Sequence, residues 1–124
     1  MSMKTLTTCA SAAALLFFAD FATAQMTFSL DKASYGSGEN VVATWMNGPG
    51  NANDWIGVYP RGVTPSSGSS AWLYVSGTTS ATIGAEEGSV TFTSASLPGP
   101  GSWTAWYLLN DGYTPATEGV DFDI

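Results

Sequence analysis

From residue 26 onward, apolar and polar side chains alternate in short runs, each closed by Gly, Pro, Asn or Asp, and no stretch sustains a 3.6-residue period. Such a pattern predicts strands joined by tight turns. Residues 26–30 form the first, ended by Asp31 and Lys32. Residues 40–46 form the second, with Val41, Ala43 and Trp45 on one side and Val42, Thr44 and Met46 on the other. Residues 55–59 lie between the Gly/Pro/Asn-rich turn 47–54 and Pro60, which ends the ladder because it has no N–H to donate. After a Gly/Ser/Thr/Pro-rich loop come residues 71–76, a weaker segment at 79–83, and residues 88–93 with Val90 and Phe92 directed inward. The stretch Leu97-Pro98-Gly99-Pro100-Gly101 makes a corner before residues 103–109. The last strand, 118–124, places Val120, Phe122 and Ile124 on one face and Asp121 and Asp123 on the other, so one face is buried and one is wet.

Seven or eight antiparallel strands in about 100 residues are most economically an all-β, immunoglobulin- or fibronectin III-like sandwich. In that frame Trp55 takes the place of the large core indole and is expected to pack on aliphatics such as Val41, Ala43 or Leu109. Trp103 follows the corner, where related sandwiches place a Tyr that bonds back to the backbone. Trp106 and Tyr107 are neighbours in one strand and point to opposite faces, which leaves one of them outside the core.

Ahead of this domain stands a different kind of segment. A Lys4-containing start, an apolar run over residues 6–18 and the small residues Ala22-Thr23-Ala24 have the form of a signal peptide, so residues 1–24 are expected to be removed and Gln25 to begin the mature chain, residues 25–124, exported to the periplasm or beyond. The run is shorter than the roughly 20 apolar residues of a membrane span. Cys9, the sole cysteine, falls within the leader, which leaves the mature domain without disulfides. An exported domain with neither disulfides nor an Asn-x-Ser/Thr acceptor has a bacterial composition.

The whole chain carries a formal net charge of −7, and after the leader only Lys32 and Arg61 oppose nine carboxylates. Phosphate backbones are bound through clustered Lys and Arg, so nucleic acid is excluded as a partner and anionic membranes are disfavoured. The acidity itself serves solubility.

The segment Asn53-Asp54-Trp55-Ile56-Gly57-Val58-Tyr59-Pro60, followed by Trp72-Leu73-Tyr74, resembles the fibronectin- or immunoglobulin-like domain that precedes the catalytic domain of purple acid phosphatases and their bacterial relatives. Its Asp-Trp-Ile-Gly-Val-Tyr core is also similar to SKICH domains. Tyr35-Gly36-Ser37-Gly38-Glu39 and Leu97-Pro98-Gly99 extend the likeness over most of the mature chain. The resemblance implies a sandwich fold and an accessory or adhesive role. It implies no catalysis, because in those phosphatases the metal ligands belong to another domain and this chain contains no His.

Without His or a mature Cys, the commonest general base, the thiolate nucleophile and the usual zinc and copper ligands are missing. Three constellations remain. Asp54 and Asp111, in loops at one end of the sandwich, form the pair to consider for glycoside hydrolysis, although each also suits a turn. Asn51, Asp54, Asn110 and Asp111 are hard oxygen donors that suit Ca²⁺, the only cofactor considered, without a contiguous calcium-loop motif. Trp72, Tyr74, Trp106 and Tyr113 form the candidate platform for sugar rings or a partner's apolar patch, favoured if these rings are exposed and coplanar. The expectation is a monomeric, non-catalytic module that binds a protein or glycan partner, with a carbohydrate-binding module and a small carboxylate hydrolase as alternatives. Association through the terminal strand is a further alternative, opposed by its outward Asp121 and Asp123.

Overall fold

The computed structural model describes residues 24–124; the expected leader and Cys9 fall outside the described residues, apart from Ala24. Seven strands form: β1 (Thr27–Leu30), β2 (Val41–Met46), β3 (Trp55–Pro60), β4 (Ala71–Tyr74), β5 (Gly88–Phe92), β6 (Ser102–Leu108) and β7 (Val120–Asp123). They make two wholly antiparallel sheets, one in the order β1-β2-β5 and the other β4-β3-β6-β7. No α-helix occurs among the described residues, and none of them forms a helix long and apolar enough to cross a membrane.

The alternation read from the sequence places the core. Val41, Ala43 and Trp45 of β2 are buried, as are Val90 and Phe92 of β5, and Phe122 of β7. Phe122 shares the second sheet with Ile56, Val58, Ala105 and Tyr107, and these face the β2 and β5 residues across the core. Phe28 and Trp45 both meet the Tyr107 ring edge-on, at 6.0 and 5.8 Å between centroids, which ties the two layers face to face. Each such side chain contributes roughly 1.5–3 kcal/mol by leaving water.

Two expectations are corrected. The weak segment at 79–83 is not a strand: the Ser76 and Thr78 hydroxyls just before it bond to each other and to the backbone N–H and carbonyl of Ser80, which competes with ladder formation. The core indole is Trp45 and not Trp55. Trp45 is 1% exposed and donates its Nε1–H to the Ala85 carbonyl, so it fills the interior without an unpaired donor. In β3, Ile56 and Val58 take the inward positions, and a period of two then sends Trp55, Gly57 and Tyr59 to the outer face, where Trp55 packs with Tyr59 and Leu108 instead of Val41 or Ala43. Trp103, in contrast, does bond back to the chain, donating to the Gly99 carbonyl at 3.1 Å.

Strand β7 lies at the sheet margin, yet its free edge is occupied. Asp123 N–H donates to Ala33 O and the Asp123 carbonyl accepts from Tyr35 N–H, so residues 33–35 cover the edge in parallel. Arg61 adds surface ion pairs to Asp121 and Asp123.

Candidate functional site

The outer face of the β4-β3-β6-β7 sheet is not the polar surface expected of a solvated layer. Across it, Tyr74, Trp55 and Leu108 stand in one row, and Trp72, Gly57 and Trp106 in the next. Gly57 is needed here: a Cβ at this position would lie 2.8 Å from Trp55 Cζ3 and 3.0 Å from Tyr59 Cε1. The two rings close over the bare backbone.

At one end of this face the aromatics enclose a cleft of about 210 Å³ lined by Trp55, Gly68, Ser69, Trp72, Tyr74, Asp111 and Tyr113. Trp55 is 8% exposed, whereas Trp72 and Tyr113 are 39% and 42% exposed, so Trp55 is the floor and the other two stand above it. Trp72 and Tyr113 meet Trp55 at interplanar angles of 86° and 81°, and Tyr74 stands at 90° to Trp72. The rings make walls around a hollow.

Hydrogen bonds fix these walls. Trp55 Nε1–H donates to the Gly112 carbonyl at 3.0 Å, and Tyr74 O–H donates to Asp111 Oδ1. Asn53 Nδ2–H occupies the other Asp111 oxygen at 2.6 Å. Asp111 itself is placed by a two-residue turn in which Asn110 and Asp111 both take positive φ, 49° and 58°, and Gly112 N–H returns to Leu109 O. Because the carboxylate accepts its proton, the Tyr74 phenol is raised above its ordinary value. The Ser69 hydroxyl, at the cleft margin, is buried and has no hydrogen-bond partner.

The structure brings together three of the four expected aromatics, Trp72, Tyr74 and Tyr113. Trp106 shares the sheet face but lines a separate, shallower concavity of about 700 Å³ with Arg61, Thr104, Glu118 and Asp121. Trp55 and Ser69 belong to the cleft and were not among the expected site residues. The signal for Trp55 lies in the run Trp-Ile-Gly-Val-Tyr, where the two aliphatics alternate with a glycine flanked by aromatics.

The loop-end carboxylates do gather, but as a clamp. Asp54 is fully buried; its Oδ2 accepts from Tyr107 O–H at 2.9 Å and its Oδ1 from Asn110 N–H at 3.0 Å, and its own N–H reaches Asn51 O. Burial and this carboxylate together push the Tyr107 phenol far up. All four oxygens of Asp54 and Asp111 therefore accept from N–H or O–H groups, a poor fit to calcium, which takes six to eight oxygens of its own. No group of three or more His, Cys, Asp or Glu is placed to hold a metal among the described residues. Of the two carboxylates only Asp111 lines the cleft, so they are not opposed across it as glycoside hydrolysis requires.

No family model, curated protein or solved structure matches the chain.

Proposed function

We propose that the chain is an exported, non-catalytic binding module of the immunoglobulin or fibronectin III kind, comparable to the accessory domain its Asp-Trp-Ile-Gly-Val-Tyr segment resembles, and that it binds its ligand in the Trp55–Trp72–Tyr74–Tyr113 cleft. Strand order supports the sandwich type. The pairing β1-β2-β5 against β4-β3-β6-β7 differs from the constant-type immunoglobulin arrangement by the transfer of the fourth strand to the opposite sheet. One observation carries the role: four large aromatics on the outer sheet face, Trp55 and Tyr74 of them held by hydrogen bonds, surround a cleft that also presents one carboxylate. Large rings left at a surface in an ordered group mark a binding site. The lining contains no Lys or Arg, and with a net charge of −7 it suits neutral or cationic ligands over anionic ones.

A carbohydrate ligand is the second reading, favoured by the exposure of Trp72 and Tyr113 and weakened by rings that stand across one another instead of lying in one plane. The test follows the five indole N–H signals by NMR while small neutral sugars, oligosaccharides and alkylammonium ions are added. A compound that moves Trp55 and Trp72 and spares Trp45 supports the cleft as the site. If none of them moves Trp72, the proposal fails.

A further inference from the structure

We infer that the cleft is a cage for a quaternary ammonium group; the inference rests on the binding role proposed above and names its ligand. Two indoles and two phenols stand at steep angles around one hollow, and the face of an aromatic ring attracts a cation lying within about 6 Å of its centroid, Trp most strongly. A wall of crossed rings surrounds a round ion better than it stacks a flat sugar.

The carboxylate decides which kind of cation. Asp111 lines the cleft and supplies negative charge, yet Tyr74 O–H and Asn53 Nδ2–H already occupy its two oxygens. A primary ammonium brings three N–H donors, each of which needs an acceptor once water is excluded. A quaternary ammonium brings charge and methyl groups with no donor at all, so a committed carboxylate serves it as a counter-charge and the rings serve its methyls. Such an ion fits within about 210 Å³. The geometry thus fits a trimethylammonium group, for which choline is the probe.

The decisive comparison sets choline against 3,3-dimethylbutan-1-ol, which has the same shape with carbon in place of the charged nitrogen, by NMR titration of the ¹⁵N-labelled protein. Choline is expected to move the Trp55 and Trp72 indole signals to saturation, with Trp45 still, and to bind about tenfold or more tightly than the neutral isostere. Trp72→Ala should abolish binding, and Asp111→Asn should weaken it about tenfold. An unchanged Trp45 signal reports that each variant is folded; Asn suits the positive φ at position 111 as well as Asp does. Choline arrives either as free solute or as the phosphatidylcholine headgroup. Co-sedimentation with phosphatidylcholine vesicles assigns the headgroup as source, and free-choline binding without it assigns the solute.

Equal affinity for the isostere, or binding that survives Trp72→Ala, overturns the cation cage. If chitotriose moves Trp55 and Trp72 while choline does not, the cage falls and the binding-module reading stands. If no compound moves them, both fall.

Discussion

Asp54 has no exposed surface, and its two oxygens hold together the loop before β3 and the turn after β6. A buried carboxylate is tolerated only when its lone pairs are satisfied, and here one phenol and one backbone N–H satisfy them. Asp54→Ala leaves Tyr107 O–H and Asn110 N–H without acceptors, at about 1–3 kcal/mol for each group. Urea denaturation is expected to show the combined loss, and Tyr107→Phe, which removes only one of the two bonds, a smaller one. A stability change within about 0.5 kcal/mol of zero for Asp54→Ala, the size of an ordinary surface substitution, contradicts the clamp. Trp45 is the second residue on which the interior depends. Its indole is enclosed by both sheets, and its N–H is spent on Ala85, so nothing of it remains for a ligand.

Among the elements, β2, β5 and β7 were legible from alternation alone, because each has one wet and one dry face and a period of two then assigns every side chain. Strand β3 was not. Both of its faces are buried, the inner by aliphatics and the outer by its own aromatic neighbours, so burial carries no period and analogy with a sandwich core put Trp55 inside. A shift of one position in that assignment exchanges the core for the outer aromatic face. The segment at 79–83 failed for a different reason, since the Ser76 and Thr78 hydroxyls take up its Ser80 backbone groups. The three cleft aromatics named from the sequence lie on β4 and on the loop after β6, where a large ring has no core to enter; Ser69 has no sequence signal at all.

At the entry to β2, Asp31 Oδ1 accepts from Tyr35 O–H at 2.6 Å and from Val42 N–H at 3.0 Å. These donors, Tyr35 first, hold its carboxyl below the ordinary 3.8, whereas burial of Tyr35 and its bond to Asp31 push that phenol far up. A carboxyl with a depressed folded-state value stabilises the fold fully above its unfolded value and loses that contribution as pH falls through the folded one. Calorimetric melting points should therefore stay level down to about pH 4 and fall below it. Asp31→Asn is expected to lower the plateau and flatten the fall; an unchanged acid slope in that variant excludes Asp31 as a source.

At the scale of the molecule, a sandwich of about 100 residues packs the inner faces of its two sheets together and gathers aromatics on the outer surface of one, the surface proposed for recognition. The core needs one face of each sheet. The second face of β4-β3-β6-β7 carries the Trp55–Trp72–Tyr74–Tyr113 group, in which the Asn110-Asp111-Gly112 turn holds Trp55 and Tyr74 by hydrogen bonds. Rigid walls lower the entropy lost on binding, which is how a small domain holds a small ligand. The most direct measurement is a crystal structure of the protein grown with saturating choline. A trimethylammonium group enclosed by Trp55, Trp72 and Tyr113, its nitrogen within about 6 Å of their ring centroids, is the expected result. Only solvent in the cleft, or choline seated elsewhere on the sandwich, would contradict it.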